Sequence, residues 1–98
     1  MSVYYHDYLQ LDKILGAQEP ESDKAGQHAH EEMLFIITHQ AFELWFKQVL
    51  VEVASVIEKL DADYVPENEI SVCQSRLRRV NRIMEHLSSQ FTLIETMT

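Results

Sequence analysis

From His30 to Leu60 the chain runs about thirty residues without a single Gly or Pro. Nothing in that stretch interrupts a helix, and no other feature limits the fold so severely. Glu31 and Glu32 open it, where the positive end of a helix dipole favours carboxylates. Leu34, Ile37, Ala41, Leu44, Trp45, Val49, Val53, Val56 and Leu60 then advance mostly in steps of three and four. Phe35, Phe42 and Phe46 add a second apolar face, so the first half of the helix is apolar on most sides. Such a helix is surrounded by others, not laid on a surface. Glu52, Glu58 and Lys59 make the second half ordinarily amphipathic.

A break follows at Asp61–Pro66, and Pro66 suits the first position of a new helix. Beyond it, Ile70, Cys73, Leu77, Val80, Met84, Leu87, Phe91 and Ile94 alternate steps of three and four. That is a seam for lengthwise helix packing. Segments 30–60 and 66–97 therefore read as two helices, each about 45 Å long at 1.5 Å per residue, folded into an antiparallel hairpin. Ahead of them, Tyr8, Leu11 and Leu15 predict a short helix over 7–15, with Asp7 as N-cap and Gly16 closing it. This arm occupies 1–16. Residues 17–29 lose all periodicity and read as a mobile loop. The expected class is all-α: a short N-terminal helix, then a long antiparallel hairpin that packs into an oligomeric helical bundle. A hairpin covers one stripe of each helix, so the chain is expected to self-associate or to be a piece of something larger.

Charge narrows the partners. Sixteen acidic against eight basic residues leave a net charge of −8, with residues 1–70 at −10 and 71–98 at +2. Such a chain is a poor match for phosphate backbones, and nucleic acid is not an expected partner. Cys73 is the single cysteine, so no internal disulfide can form, and no Cys/His pair has zinc-finger spacing. The N-terminus lacks the basic start and apolar core of a secretory signal. No apolar run approaches the roughly 20 residues that span a bilayer. A reduced, cytoplasmic protein with no membrane partner is expected.

Four groups of residues could carry chemistry. His39 lies four residues after Phe35 and four before Glu43, so a helix places all three on one stripe. It is either a core histidine satisfied by a neighbour, or a ring projecting into a pocket walled by Phe35, Phe42 and Phe46, where it could hydrogen-bond a ligand. His28, His30, Glu31, Glu32, His39 and Glu43 offer ligands for a metal, but the Glu-x-x-His pairs of a helical di-metal site are missing. Tyr4, Tyr5 and Tyr8 form an aromatic entry segment that could staple the short helix down. Arg76, Arg78, Arg79 and Arg82 make a basic stripe that could pair with Glu52 and Glu58 across the hairpin.

Several strings of residues resemble one family. Tyr5-His6-Asp7-Tyr8-Leu9-Gln10-Leu11, continuing to Ile14-Leu15 and Gln18, is similar to the opening of the tryptophan 2,3-dioxygenases. His30-Glu31-Glu32-Met33-Leu34-Phe35-Ile36-Ile37-Thr38-His39-Gln40, followed by Glu43-Leu44-Trp45-Phe46-Lys47, resembles that family's most distinctive block. Arg78-Arg79-Val80, Ile83 and the closing Leu93–Thr98 are similar too. The likeness covers nearly the whole chain except 19–27.

The resemblance implies a mostly helical, haem b-dependent oxidoreductase, a homotetramer of paired, intertwined subunits. It implies the first step of tryptophan catabolism by the kynurenine pathway: opening of the L-tryptophan indole ring with O₂ to give N-formylkynurenine. On that reading His39 matches the distal histidine that meets the indole N–H, and Phe35 matches the aromatic lining the same pocket, so both would face substrate and the distal side of the haem. Tyr5, Tyr8 and Leu9 match residues that a neighbouring subunit inserts over the indole. The family's carboxylate-binding arginine, proximal histidine and closing loop have no match in these 98 residues. The resemblance therefore implies an N-terminal portion, with no iron ligand and inactive alone. A non-catalytic helical oligomerisation module derived from the same family is the alternative.

Overall fold

The computed structural model describes residues 4–97, and among them every regular element is a helix. These are α1 (Tyr5–Tyr8), α2 (Leu11–Leu15), α3 (Glu21–Lys24), α4 (Glu31–Leu60) and α5 (Glu67–Ile94). The chain divides into two compact units at Ile37 and Thr38, inside α4.

In the first unit, the helix expected over 7–15 is two helices. It starts earlier, at Tyr5, whose N-cap residue Tyr4 donates no side-chain cap, and it breaks at Gln10. There the backbone turns left-handed, with φ of 53°. Neither α1 nor α2 contains a buried residue. Without packing to support it, so short a helix has little to hold successive turns together. Gly16 does close α2, and a Cβ there would lie 2.9 Å from the Asp12 carbonyl oxygen.

The segment read as a mobile loop, 17–29, also differs from expectation, because it holds the helical turn α3. Gly26 supplies a left-handed residue with φ of 75°, and the Gln27 N–H donates to the Ser22 carbonyl at 2.8 Å. No apolar spacing announces this turn, because polar side chains hold it.

The second unit is the hairpin of α4 and α5. Phe42 packs on Phe91, Trp45 on His86, Glu52 on Arg79 and Lys59 on Glu69, so each step up α4 is a step down α5. The helices are antiparallel, as expected. Pro66 takes the N-cap position of α5, one residue before the place foreseen. Val56, Cys73, Ile83 and Leu87 are the buried apolar residues, and Thr38 and Glu52 are buried with them.

The seam is rotated from the one that apolar spacing suggests. On α5 the residues with reduced exposure are Val72 and the series Glu69, Cys73, Arg76, Val80, Ile83, Leu87, Gln90 and Ile94, the series again in steps of three and four. Ile70, Leu77, Met84 and Phe91 lie outside it, at 41–55 % exposure. On α4, Ile37, Leu44 and Leu60 are likewise exposed, whereas Thr38 and Glu52 face inward. The physical reason is electrostatic as well as apolar. The Glu52 carboxylate accepts hydrogen bonds from Arg79 Nη1 at 2.9 Å and Gln48 Nε2 at 3.1 Å, and Lys59 Nζ donates to Glu69 at 2.6 Å. With these groups facing one another, part of the apolar surface of each helix points outward. Among the described residues, no helix is long and apolar enough to cross a membrane.

Candidate functional site

His39 is exposed on α4, and the packed-core reading does not describe it. Its ring meets Phe42 edge-on, with centroids 6.1 Å apart and planes at 82°. Along the same helix, Phe46, Leu50 and Ile57 recur at helical spacing from His39 and are 42–68 % exposed. The imidazole thus sits on an apolar stripe beside the α5 seam. A flat apolar molecule laid on that stripe would meet two polar side chains, the His39 imidazole and the exposed Glu43 carboxylate.

The expected aromatic wall is only partly assembled. Phe42 and Phe46 stack at 6.4 Å, and Phe42 also packs on Phe91 at 5.6 Å. Together with Met84 and Leu87 they line an apolar cleft of the hairpin. Those two rings serve the packing of α4 on α5. Phe35, in the first unit, is 49 % exposed.

The aromatic entry segment is not stapled down. Tyr5 and Tyr8 are 74 % and 73 % exposed, and Leu9 is 36 % exposed. Rings displayed in this way have their apolar area available to another surface.

The six residues weighed as metal ligands are otherwise engaged or apart. His28 Nδ1 lies 2.6 Å from Asp23, and Glu32 accepts hydrogen bonds from α3. Among the described residues, no three His, Cys, Asp or Glu side chains converge. The basic stripe does pair across the hairpin, through Arg79 and Glu52. The Arg79 guanidinium, and then Gln48, holds the Glu52 carboxyl below the usual carboxylate range, against the opposing effect of burial. The bonds from α3 to Glu32 went unread in the sequence, where Glu32 marks the helix start and counts among the candidate metal ligands.

The chain's likeness to known proteins runs from end to end. The model of the tryptophan 2,3-dioxygenase family matches residues 1–98. The tryptophan 2,3-dioxygenase of Alteromonas mediterranea is 52 % identical over 95 residues, which are 97 % of this chain and 26 % of that protein. That of Bdellovibrio bacteriovorus is 46 % identical over 96 residues, 98 % of this chain and 27 % of the relative. That of Xenopus tropicalis is 50 % identical over 95 residues, 96 % and 23 %. The chain spans about a quarter of the length of the curated relatives it matches.

Proposed function

The chain belongs to the tryptophan 2,3-dioxygenase family, and from that premise we propose that it supplies the distal side of a haem site. There the indole ring of L-tryptophan is opened by O₂ to N-formylkynurenine. The observation that carries this reading is the imidazole of His39, exposed in the middle of an apolar stripe of α4.

The residues fit the group. A haem is a broad, flat, mostly apolar ring, and Phe46, Leu50 and Ile57 offer exposed apolar surface beside the His39 imidazole, with the Glu43 carboxylate on the same stripe. When bound, the haem supplies the oxygen chemistry, and the protein binds, orients and encloses. A ring nitrogen of His39 accepts the indole N–H and so fixes the substrate's orientation. Phe35 covers apolar area of the indole and keeps water away from it. Tyr5, Tyr8 and Leu9 act on a neighbouring subunit, where they close over the substrate. The exposure of all three supports that role. The same reading makes the assembly a homo-oligomer, a dimer or tetramer, which the outward apolar residues of the hairpin favour.

The test uses the full-length protein that carries this chain. His39→Ala should lower kcat/KM for tryptophan by about 10- to 100-fold while the haem absorbance and helical content stay unchanged. With an N-methylindole substrate, which has no N–H to donate, the same substitution should change little. Equal losses on both substrates would show that His39 does not read the indole N–H.

A further inference from the structure

Between the N-terminal arm and α4, the Glu32 carboxylate gathers three hydrogen bonds from the start of α3. The N-cap residue of α3 is Pro20, with no side-chain cap, and an acceptor for the first amides of α3 comes from eleven residues away. Glu32 Oε2 accepts the Glu21 N–H at 3.1 Å, while Oε1 accepts the Ser22 N–H at 2.9 Å and the Ser22 hydroxyl at 2.5 Å. The Ser22 Oγ in turn accepts the Ala29 N–H at 3.0 Å. One side chain from the first turn of α4 thereby closes the whole of 21–32 into a ring of hydrogen bonds. The Ser22 hydroxyl, and then its N–H, hold the Glu32 carboxyl below the usual carboxylate range, so the clamp is charged at neutral pH.

The clamp lies between the arm and Phe35. Upstream, Gln18 Nε2 donates to the Ile14 carbonyl at 2.9 Å, a bond local to the end of α2. Downstream, Phe35 follows Glu32 by three residues on α4, within the same unit. Because α1 and α2 bury no residue, their own packing gives the arm little anchorage.

We infer that Glu32 is a positioning residue: by clamping α3 to the start of α4, it sets where the arm bearing Tyr5, Tyr8 and Leu9 departs from the helix that carries Phe35. This rests on the arm's proposed part in the indole site. A carboxamide at this position presents an NH₂ to donors, so Glu32→Gln opens the clamp at almost no change in size.

In the full-length protein, Glu32→Gln should raise KM for tryptophan about tenfold and leave kcat within about twofold. Trypsin should cut after the exposed Lys24 faster than in the parent protein, a readout independent of haem. In a Tyr8→Ala background, Glu32→Gln should add no further rise in KM, because the arm it places no longer acts. If the two effects multiply instead, Glu32 does not work through the arm, and this inference falls while the arm reading stands. A Tyr8→Ala protein with unchanged KM would remove the arm from the site and overturn both. Should Glu32→Gln fail to fold, Ser22→Ala gives the same pattern in milder form, since it removes the hydroxyl that donates to Glu32 and accepts from Ala29 but keeps the carboxylate and its bonds to the two α3 amides.

Discussion

His39 and Glu52 show how one helix assigns opposite tasks to polar side chains. His39 stands exposed beside Phe42, so its removal should leave the hairpin intact. His39→Ala is expected to change unfolding free energy by less than about 1 kcal/mol in a urea titration. Glu52 is buried and accepts from Arg79 and Gln48. Because its carboxyl titrates below the ordinary value in the folded chain, the unfolded chain takes up the proton first as pH falls. The stabilisation is thus complete at neutral pH and is lost on acidification through about pH 4 and below. Glu52→Gln should cost about 1–3 kcal/mol at pH 7 and flatten the acid limb of the stability curve. A steep limb retained in the variant would point to other carboxylates.

At the scale of elements, the hairpin seam makes a sharper forecast than apolar spacing does. Leu87 is 5 % exposed, and Leu87→Ala should cost about 2–5 kcal/mol through the cavity it leaves. Leu77, on the flank at 45 % exposure, should lose about 1 kcal/mol or less in the chain on its own. Denaturation of the two variants side by side checks the seam directly, and equal costs would contradict it. Gly16 gives a second local test. A methyl group placed 2.9 Å from the Asp12 carbonyl oxygen must displace the end of α2, so Gly16→Ala should reduce helicity at the arm and spare the hairpin. Amide exchange of residues 11–16 against 70–90 separates the two.

For the whole molecule, the outward apolar residues matter most. Ile70, Leu77, Met84 and Phe91 recur every seven residues on α5, and Leu50, Ile57 and Phe46 are exposed on α4. So much apolar area shown to water favours association. The chain should therefore sediment as a dimer or larger species at micromolar concentration. Leu77→Glu, which places charge on that flank without touching the seam, should shift it toward monomer. A wild-type chain that remains monomeric at those concentrations would count against the oligomer.

Most of the architecture was legible in the order of residues. Two long helices, their antiparallel return at Asp61–Pro66 and the apolar excess of α4 follow from periodicity and from the absence of Gly and Pro, which are local properties. The four-residue spacing of Phe35, His39 and Glu43 is likewise arithmetic on the sequence. Periodicity cannot say which of two adjacent apolar stripes turns inward, since both carry the same spacing. The stripe that faces inward also brings Glu52 to Arg79 and Lys59 to Glu69 across the hairpin, pairings between residues 27 and 10 positions apart that spacing does not contain. The same holds for α3 and its clamp. A polar stretch with no pattern became ordered because one distant carboxylate satisfied its amides, and such a bond exists only once the chain has folded back on itself.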